Sequence, residues 1–140
     1  MAKLVARQKT ADDDFIPNTL RIAALAEERH ATNIRGYDVR GLTVIADSFV
    51  ICSVRSEPQL KAVISAVKEG MKEIGVAPLH LEGQNTSGWV LLDFGDIVFH
   101  VFREEARSFY DLDGMWADAP DIPLDLDEST EADPSAPVQA

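Results

Sequence analysis

The sequence contains one cysteine and no long hydrophobic run. Cys52 stands alone among 140 residues, so the chain can form neither an internal disulfide nor a cysteine cluster for zinc. No apolar stretch approaches the roughly 18 residues of a membrane-spanning helix, and the N-terminus MAKLVARQKTADDDF lacks the apolar segment of a signal peptide. We therefore expect a soluble, cytoplasmic protein that does not enter a membrane.

Basic residues are also scarce. Thirteen Lys and Arg residues oppose 24 Asp and Glu residues, which gives a formal net charge of -11. Much of this excess lies in residues 118–140, which carry acids and no bases. The rest of the chain is only mildly acidic, and its bases are scattered, so it lacks the basic patch with which proteins grip phosphate backbones. The composition predicts little direct binding to nucleic acid.

The apolar content of 46% is sufficient for the core of one domain. Residues 1–14 show no hydrophobic periodicity and are expected to form a flexible N-terminal segment. Residues 15–120 are expected to form the folded domain. Residues 121–140 are acidic and poor in large apolar side chains, so they are expected to form a disordered tail that cannot offset its chain entropy.

Hydrophobic periodicity predicts an α/β domain. Helical spacing predicts one helix from Thr19 to Gly36 with Asn18 as its N-cap, one from Ser56 to Gly75, and a short one over EEARSFYDL. Short apolar runs predict five strands: Asp38–Leu42, Ser48–Val54, Leu79–Gly83, Trp89–Asp93 and Ile97–Arg103. This element order predicts a mixed sheet of about five strands with flanking helices.

The stretch GWVLLDFGDIVFH from Gly88 to His100 predicts a β-hairpin. Alternation directs Ile97, Phe99 and Val101 to the core. A two-residue turn at Phe94-Gly95 would place Trp89 beside His100, whereas a three-residue turn ending in Gly95 would place it with Phe99. Because a shift of one residue moves every side chain to the other face, the face that carries Trp89 stays open.

Two carboxylates, Asp93 and Asp96, flank this turn and have two interpretations. They are either a catalytic pair or ordinary turn residues. Catalytic or metal-binding carboxylates usually have further acids, histidines or a phosphate-binding loop nearby, and none is evident in the sequence. Aspartate is a common turn residue, so we favour the turn and expect no catalytic residue, no metal site and no cofactor.

Other residues with reactive side chains also have simple structural explanations. Cys52 lies in an apolar run, which is typical of a buried thiol. Ser56 is better explained as a helix cap than as a nucleophile, because no Gly-x-Ser-x-Gly motif surrounds it. The three histidines, His30, His80 and His100, lack the spacing of zinc ligands. The case for an enzyme is therefore weak.

Aromatic residues are concentrated near the end of the folded region. They are interleaved with His100, Arg103 and Arg107 and comprise Trp89, Phe102, Phe109, Tyr110 and Trp116. Aromatic and arginine side chains at this density are typical of protein–protein interfaces. A hydrophobic core would use the same residues, so composition does not decide between the two.

Several motifs occur together in one order. These are ADSFVICSVRS (Ala46–Ser56), LEGQNTSGW (Leu81–Trp89), WVLLDFGDIVFHVF, and REEARSFYDLDGMW (Arg103–Trp116). From about Ala31 to Pro120 the sequence resembles the ribosomal silencing factor family, also called the Iojap or RsfS family. The resemblance implies a nucleotidyltransferase-like α/β fold with no known catalysis. Enzymes of that fold carry a Gly-Ser and an Asp-x-Asp metal pair, and this chain has Cys52-Ser53 and Asp93-x-x-Asp96 instead, which agrees with the interpretation of the two aspartates as turn residues.

The resemblance also implies a partner. Members of the family bind the large ribosomal subunit through large-subunit ribosomal protein fourteen and sterically block joining of the small subunit, which represses translation. The implied partner-binding residues are Trp89, His100, Glu82, Gly83, Asp93, Phe94, Gly95, Phe102, Arg107 and Tyr110. Two alternatives are a nucleotide-using transferase and a homodimer formed through an exposed sheet face, so a monomer or a weak homodimer is expected.

Overall fold

The computed structural model describes residues 14–84 and 87–126, apart from the side chain of Gln84. The helices are α1 (Ile16–Glu28), α2 (Glu57–Lys72), α3 (Glu104–Tyr110) and α4 (Leu112–Met115). The strands are β1 (Thr32–Asp38), β2 (Ser48–Val54), β3 (His80–Gln84), β4 (Trp89–Asp93) and β5 (Ile97–Arg103). None of the helices in these ranges has the length and apolar character needed to cross a membrane.

The five strands form one mixed sheet in the order β1-β2-β5-β4-β3. Strands β2 and β5 are parallel neighbours, and all other neighbouring pairs are antiparallel. This confirms the predicted fold class. Every residue of the central strand β2 is buried, which explains why SFVICSV is apolar at nearly every position instead of alternating.

Two hydrophobic cores lie on opposite faces of the sheet. The inner face is covered by α1 and α2, which contribute Ile22, Leu60 and Val67 to one core. The outer face packs Phe49 and Phe102 against α4 and residues 116–119 in a second core. At the sheet edge, residues 80–83 of β3 are all exposed. The outer face is thus covered over β1, β2 and β5 but remains accessible over β4 and β3.

Helix α2 follows its predicted boundaries closely. The Ser56 hydroxyl accepts a hydrogen bond from the backbone N–H of Gln59 at 3.2 Å, and Pro58 lies in the first turn. Gly75, just beyond the helix, has a φ of +83°, which suits glycine. The guanidinium of Arg21 in α1 donates to the carbonyl of Gly70 at 2.8 Å and so joins the two helices.

The first helix and the first strand differ from the prediction. Helix α1 starts at Ile16 after Phe15, so Asn18 is not its N-cap, and it stops at Glu28 instead of continuing to Gly36. His30 then takes a left-handed φ of +67°. Residues 32–38 form β1 because they pair with the buried strand β2, and this pairing overrides their weak helical spacing. The predicted strand Asp38–Leu42 is wrong.

The expected disordered tail also requires a correction. The backbone N–H of Asp38 donates to the carbonyl of Pro120, and that of Ile122 donates to the carbonyl of Gly36, each at 2.8 Å. Ile122 is buried, and Leu124 packs against the inner core. Residues 121–126 therefore cover the edge of β1. The rest of the predicted tail, 127–140, and the predicted N-terminal segment, apart from Asp14, lie outside the described residues.

Candidate functional site

The hairpin register determines which side chains share a face. Trp89 lies opposite Phe102, and Leu91 lies opposite His100. The N–H of Phe94 donates to the carbonyl of Ile97 at 2.9 Å, which leaves Gly95-Asp96 as the two-residue loop. The first loop position needs a positive φ, which would strain a phenylalanine; Gly95 occupies it with a φ of +95°. Trp89 consequently lies on the face of His100, although neither turn position expected from the sequence is correct.

Asp93 and Asp96 form hydrogen bonds that stabilise the turn. One carboxylate oxygen of Asp93 accepts from the N–H of Gly95 at 2.8 Å. The backbone carbonyl of Asp96 accepts from the N–H of Asp47 at 2.7 Å and of Ser48 at 3.2 Å, which ties the turn to the start of β2. Across residues 14–84 and 87–126, no group of three or more His, Cys, Asp or Glu residues could hold a metal ion.

An aromatic stack runs from the outer core to solvent. The Trp89 ring stacks on Phe102 with a centroid distance of 5.0 Å and lies 4.9 Å from the ring of Tyr110. Phe109 meets Tyr110 edge to face at 5.2 Å. Phe102 is fully buried and Trp89 half-buried, whereas Tyr110 is 39% exposed and Phe109 82% exposed. We call Trp89, Phe109 and Tyr110 the aromatic surface.

His100 lies beneath this surface. It is 5% exposed, and its Nδ1 accepts a hydrogen bond from the indole Nε1 of Trp89 at 3.2 Å. The ring of Phe49 packs against it edge to face at 4.9 Å. Burial in this apolar environment lowers the pKa of His100 to about 3, so the imidazole is neutral at physiological pH.

Arg107 anchors α3 to three other parts of the chain. Its guanidinium donates to both carboxylate oxygens of Asp113, at 2.9 and 3.0 Å. It also donates to the carbonyl of Asn33 at 2.6 Å and to the hydroxyl of Ser53 at 2.9 Å. Only 13% of the Arg107 side chain is exposed. The network therefore holds the helix that carries Phe109 and Tyr110, and it uses most of the donors of Arg107 internally.

The carboxylate of Asp113 is the centre of this network. Burial alone would raise its pKa, but hydrogen bonds from Arg107 and Tyr37 outweigh burial and hold the pKa below its ordinary value. The Tyr37 hydroxyl donates to Asp113 at 2.8 Å. Burial, reinforced by this bond to a carboxylate, raises the pKa of Tyr37 to about 12. The geometry is that of a structural ion pair with a charge-assisted hydrogen bond.

Strand β3 places Glu82 and Gly83 beside the aromatic surface. Glu82 is exposed and pairs with Leu91 on the outer face, while Gly83 pairs with Val90. Gly83 has a φ of +98°, and a Cβ at this position would collide with the carbonyl oxygen of Trp89. A glycine is thus required for β3 to approach β4 this closely.

The predicted site residues fall into three groups. Trp89, Glu82 and Tyr110 lie on or beside the accessible part of the outer face, and Gly83 brings β3 against β4 there. His100, Phe102 and Arg107 lie beneath it as supports. The turn residues Asp93, Phe94 and Gly95 lie at the other end of β4, about 14 Å along the strand from Trp89. The structure therefore does not bring them together with the aromatic surface.

Two residues absent from the predicted site belong to this area. Leu91 is half-buried on the outer face two positions after Trp89, and Phe109 is the most exposed large apolar side chain described. Strand alternation would have indicated Leu91 once the register was known. The exposure of Phe109 depends on how α3 packs, so no local signal identified it.

Comparison with known proteins identifies the relatives of this chain. A protein-family profile described as "Ribosomal silencing factor during starvation" matches residues 12–140. The chain belongs to the ribosomal silencing factor family. Ribosomal silencing factor RsfS of Bacillus subtilis is 39% identical over 108 residues, which span 76% of this chain and 92% of the relative. The resemblance inferred from the motifs is confirmed.

Solved structures agree with the fold of this ribosomal silencing factor. A crystal structure of a protein from Chromobacterium violaceum superposes with a TM-score of 0.70 at 26% identity and covers 79% of this chain and 92% of that one. A crystal structure from Bacillus halodurans gives a TM-score of 0.66 at 28% identity, with coverages of 81% and 100%. The mixed five-stranded sheet with flanking helices is thus shared with experimentally determined structures.

Proposed function

We propose that this ribosomal silencing factor binds the large ribosomal subunit through large-subunit ribosomal protein fourteen. Once bound, it blocks the approach of the small subunit by occupying space, so it needs no catalytic group and no cofactor. Membership of the family supports this proposal. The aromatic surface is the observation that indicates which residues would contact the partner.

Exposed aromatic rings leave apolar surface in contact with water, which is unfavourable unless a partner covers them. Phe109 is 82% and Tyr110 39% exposed; Tyr110 lies against the half-buried Trp89, and Phe109 lies against Tyr110. Contiguous exposed apolar groups of this kind usually mark an interaction site. Tryptophan and tyrosine are also the residues that most often dominate binding energy, because each buries a large area and still offers a hydrogen-bond donor.

The acidic composition of the chain favours a basic partner. Three glutamates are exposed near the aromatic surface, and each lies within 4 Å of a basic side chain: Glu104 of Arg55, Glu105 of Arg103 and Glu82 of His80. This border is therefore mixed in charge, and the preference comes from the formal net charge of -11, which attracts a basic ribosomal protein and repels the phosphates of ribosomal RNA. A specific interface needs about 800 Å² on each partner, so we expect the partner to cover the outer face of β3 and β4 together with α3.

Co-sedimentation with purified ribosomal subunits tests the binding step. We expect the protein to pellet with large subunits and not with small ones. Trp89→Ala should weaken this binding by more than about 1 kcal/mol, or roughly fivefold in Kd. Leu42→Ala is the control at a distant surface, because Leu42 is an apolar side chain, 49% exposed, in the loop that follows β1, and β1 is the sheet edge opposite β3. Equal losses in both variants would contradict the assigned surface.

Subunit joining tests the second step. Large subunits preincubated with the protein should combine with small subunits more slowly and to a lower extent, as measured by light scattering. Binding to isolated ribosomal protein fourteen should show the same loss in Trp89→Ala as binding to whole subunits. Tight binding to large subunits without any effect on joining would refute steric occlusion.

A further inference from the structure

We propose that His100 is a positioning residue, which holds the Trp89 indole in the orientation presented to the partner and does not itself touch the partner. The proposal deepens the proposed function and rests on it for its binding readout. It departs from the sequence-based expectation, in which His100 belonged to the contact surface.

The packing around His100 excludes direct contact with a partner. The imidazole lies nearly parallel to the Phe102 ring, at 13° and 6.5 Å, and meets the edge of Phe49 at 4.9 Å. Trp89 lies on the side toward solvent, with ring centroids 6.0 Å apart. Only 5% of His100 is exposed. A partner bound to the aromatic surface would therefore contact Trp89 and would not reach His100.

The hydrogen bond from Trp89 to His100 determines which way round the indole ring lies, which stacking alone does not. Stacking on Phe102, together with the tilted contact with Tyr110, fixes the approximate plane of the Trp89 ring. A ring turned over in that plane would make the same contacts equally well. The bond of 3.2 Å from indole Nε1 to Nδ1 of His100 selects one of these orientations. Because indole N–H only donates, the residue at position 100 must offer an acceptor.

His100 makes this contact at a cost to stability. A neutral imidazole whose Nδ1 accepts must carry its proton on Nε2, and this buried nitrogen has no hydrogen-bond partner among residues 14–84 and 87–126. A buried donor left unpaired destabilises a protein, so an apolar residue of similar size would serve the core better. The low pKa is consistent with this assignment, because the acceptor stays available at every physiological pH.

Two substitutions separate positioning from packing. His100→Leu fills the space but removes the acceptor, and His100→Asn keeps an acceptor oxygen near the place of Nδ1. We expect His100→Leu to melt at or above the temperature of the unmodified protein, yet to bind large subunits about fivefold or more weakly. His100→Asn should recover most of the affinity. A purely structural histidine would give the reverse, with stability lost in step with binding.

A destabilised control shows that binding does not simply follow stability. Val63 is a residue of α2 that is buried in the inner core, on the opposite side of the sheet from Trp89. Val63→Ala should lower the melting temperature and leave affinity unchanged well below it. If His100→Leu binds as tightly as the unmodified protein, or if His100→Asn restores nothing, the positioning role is refuted.

A spectroscopic readout tests the same bond without ribosomes. In a proton–nitrogen NMR spectrum, the indole N–H signal of Trp89, identified by its loss in Trp89→Phe, should shift and exchange faster with water in His100→Leu. An unchanged signal overturns the proposal whatever the binding data show. If the unmodified protein does not bind large subunits, the proposed function is refuted, but the NMR test of the hydrogen bond between Trp89 and His100 remains valid. If His100→Leu fails to fold, His100→Gln, whose amide reaches a different point, provides the same comparison.

Discussion

The Arg107 network offers a quantitative test of how the aromatic surface is supported. Arg107→Met keeps most of the length and apolar stem of the side chain but removes four hydrogen bonds, two of them to the carboxylate of Asp113. Breaking a fully buried ion pair costs about 3–5 kcal/mol, whereas a surface pair contributes about 0–1 kcal/mol. The side chains of Arg107 and Asp113 are 13% and 28% exposed, which lies between these cases. We expect a loss of about 2 kcal/mol in the free energy of unfolding.

The pH dependence of this loss identifies its cause. The pKa of folded Asp113 lies below its ordinary value of 3.8, so its contribution to stability is fully present above that pH and is lost as the pH falls through the folded pKa. Arg107 is a main cause of the depression. The stability difference between the unmodified protein and Arg107→Met should thus be full at about pH 7 and smaller at about pH 3.

Urea unfolding followed by circular dichroism at both pH values provides the measurement. Arg107→Lys is the matched control, because it keeps the charge and loses the two-pronged geometry, and it should cost about half as much. A change below about 0.5 kcal/mol in Arg107→Met would show that solvent replaces these bonds without loss. A difference that stays constant down to about pH 3 would show that the hydrogen bonds to Asn33 and Ser53, and not the ion pair with Asp113, are responsible.

Three further predictions concern other parts of the fold. Gly83→Ala should destabilise the protein by about 1–3 kcal/mol in thermal unfolding, because its φ of +98° and the nearby carbonyl of Trp89 leave no room for a Cβ. Ile122→Ala should cost about 2 kcal/mol in urea unfolding, because Ile122 is buried at the edge of β1, and an unchanged value would show that residues 121–126 do not support the fold. Burial raises the pKa of the Cys52 thiol to about 12, so iodoacetamide should modify it in urea and not in the folded protein at mildly alkaline pH.

Much of the architecture was predictable because local signals agreed with the tertiary structure. Helix α2 has a capping serine, a regular apolar stripe and a terminal glycine, and all three act within a few residues of each other. Strand β2 is apolar at five of its seven positions, and all seven are buried because both of its faces are covered. Such segments can be predicted from local sequence alone, because the same residues favour the local geometry and pack in the core.

The errors arose where one residue decided between two geometries. The hairpin register depended on whether Phe94 or Gly95 would take the first loop position, and only the folded chain shows that Gly95 takes it. The end of α1 depended on a left-handed conformation at His30, which histidine adopts infrequently. The packing of residues 121–126 depended on a free edge at β1, and no feature of the tail itself indicates that edge.

The composition could not separate core from surface aromatic residues because the aromatic stack runs from one to the other. Phe102 is fully buried at one end, Phe109 is largely exposed at the other, and Trp89 lies between them in contact with His100. An exposed ring with no buried neighbour would sample many orientations and would lose entropy on binding. Rings held from below by the core, and from the side by the Arg107 network, lose less. The same residues that stabilise the outer core therefore also hold the exposed rings in the orientation that the proposed partner would meet.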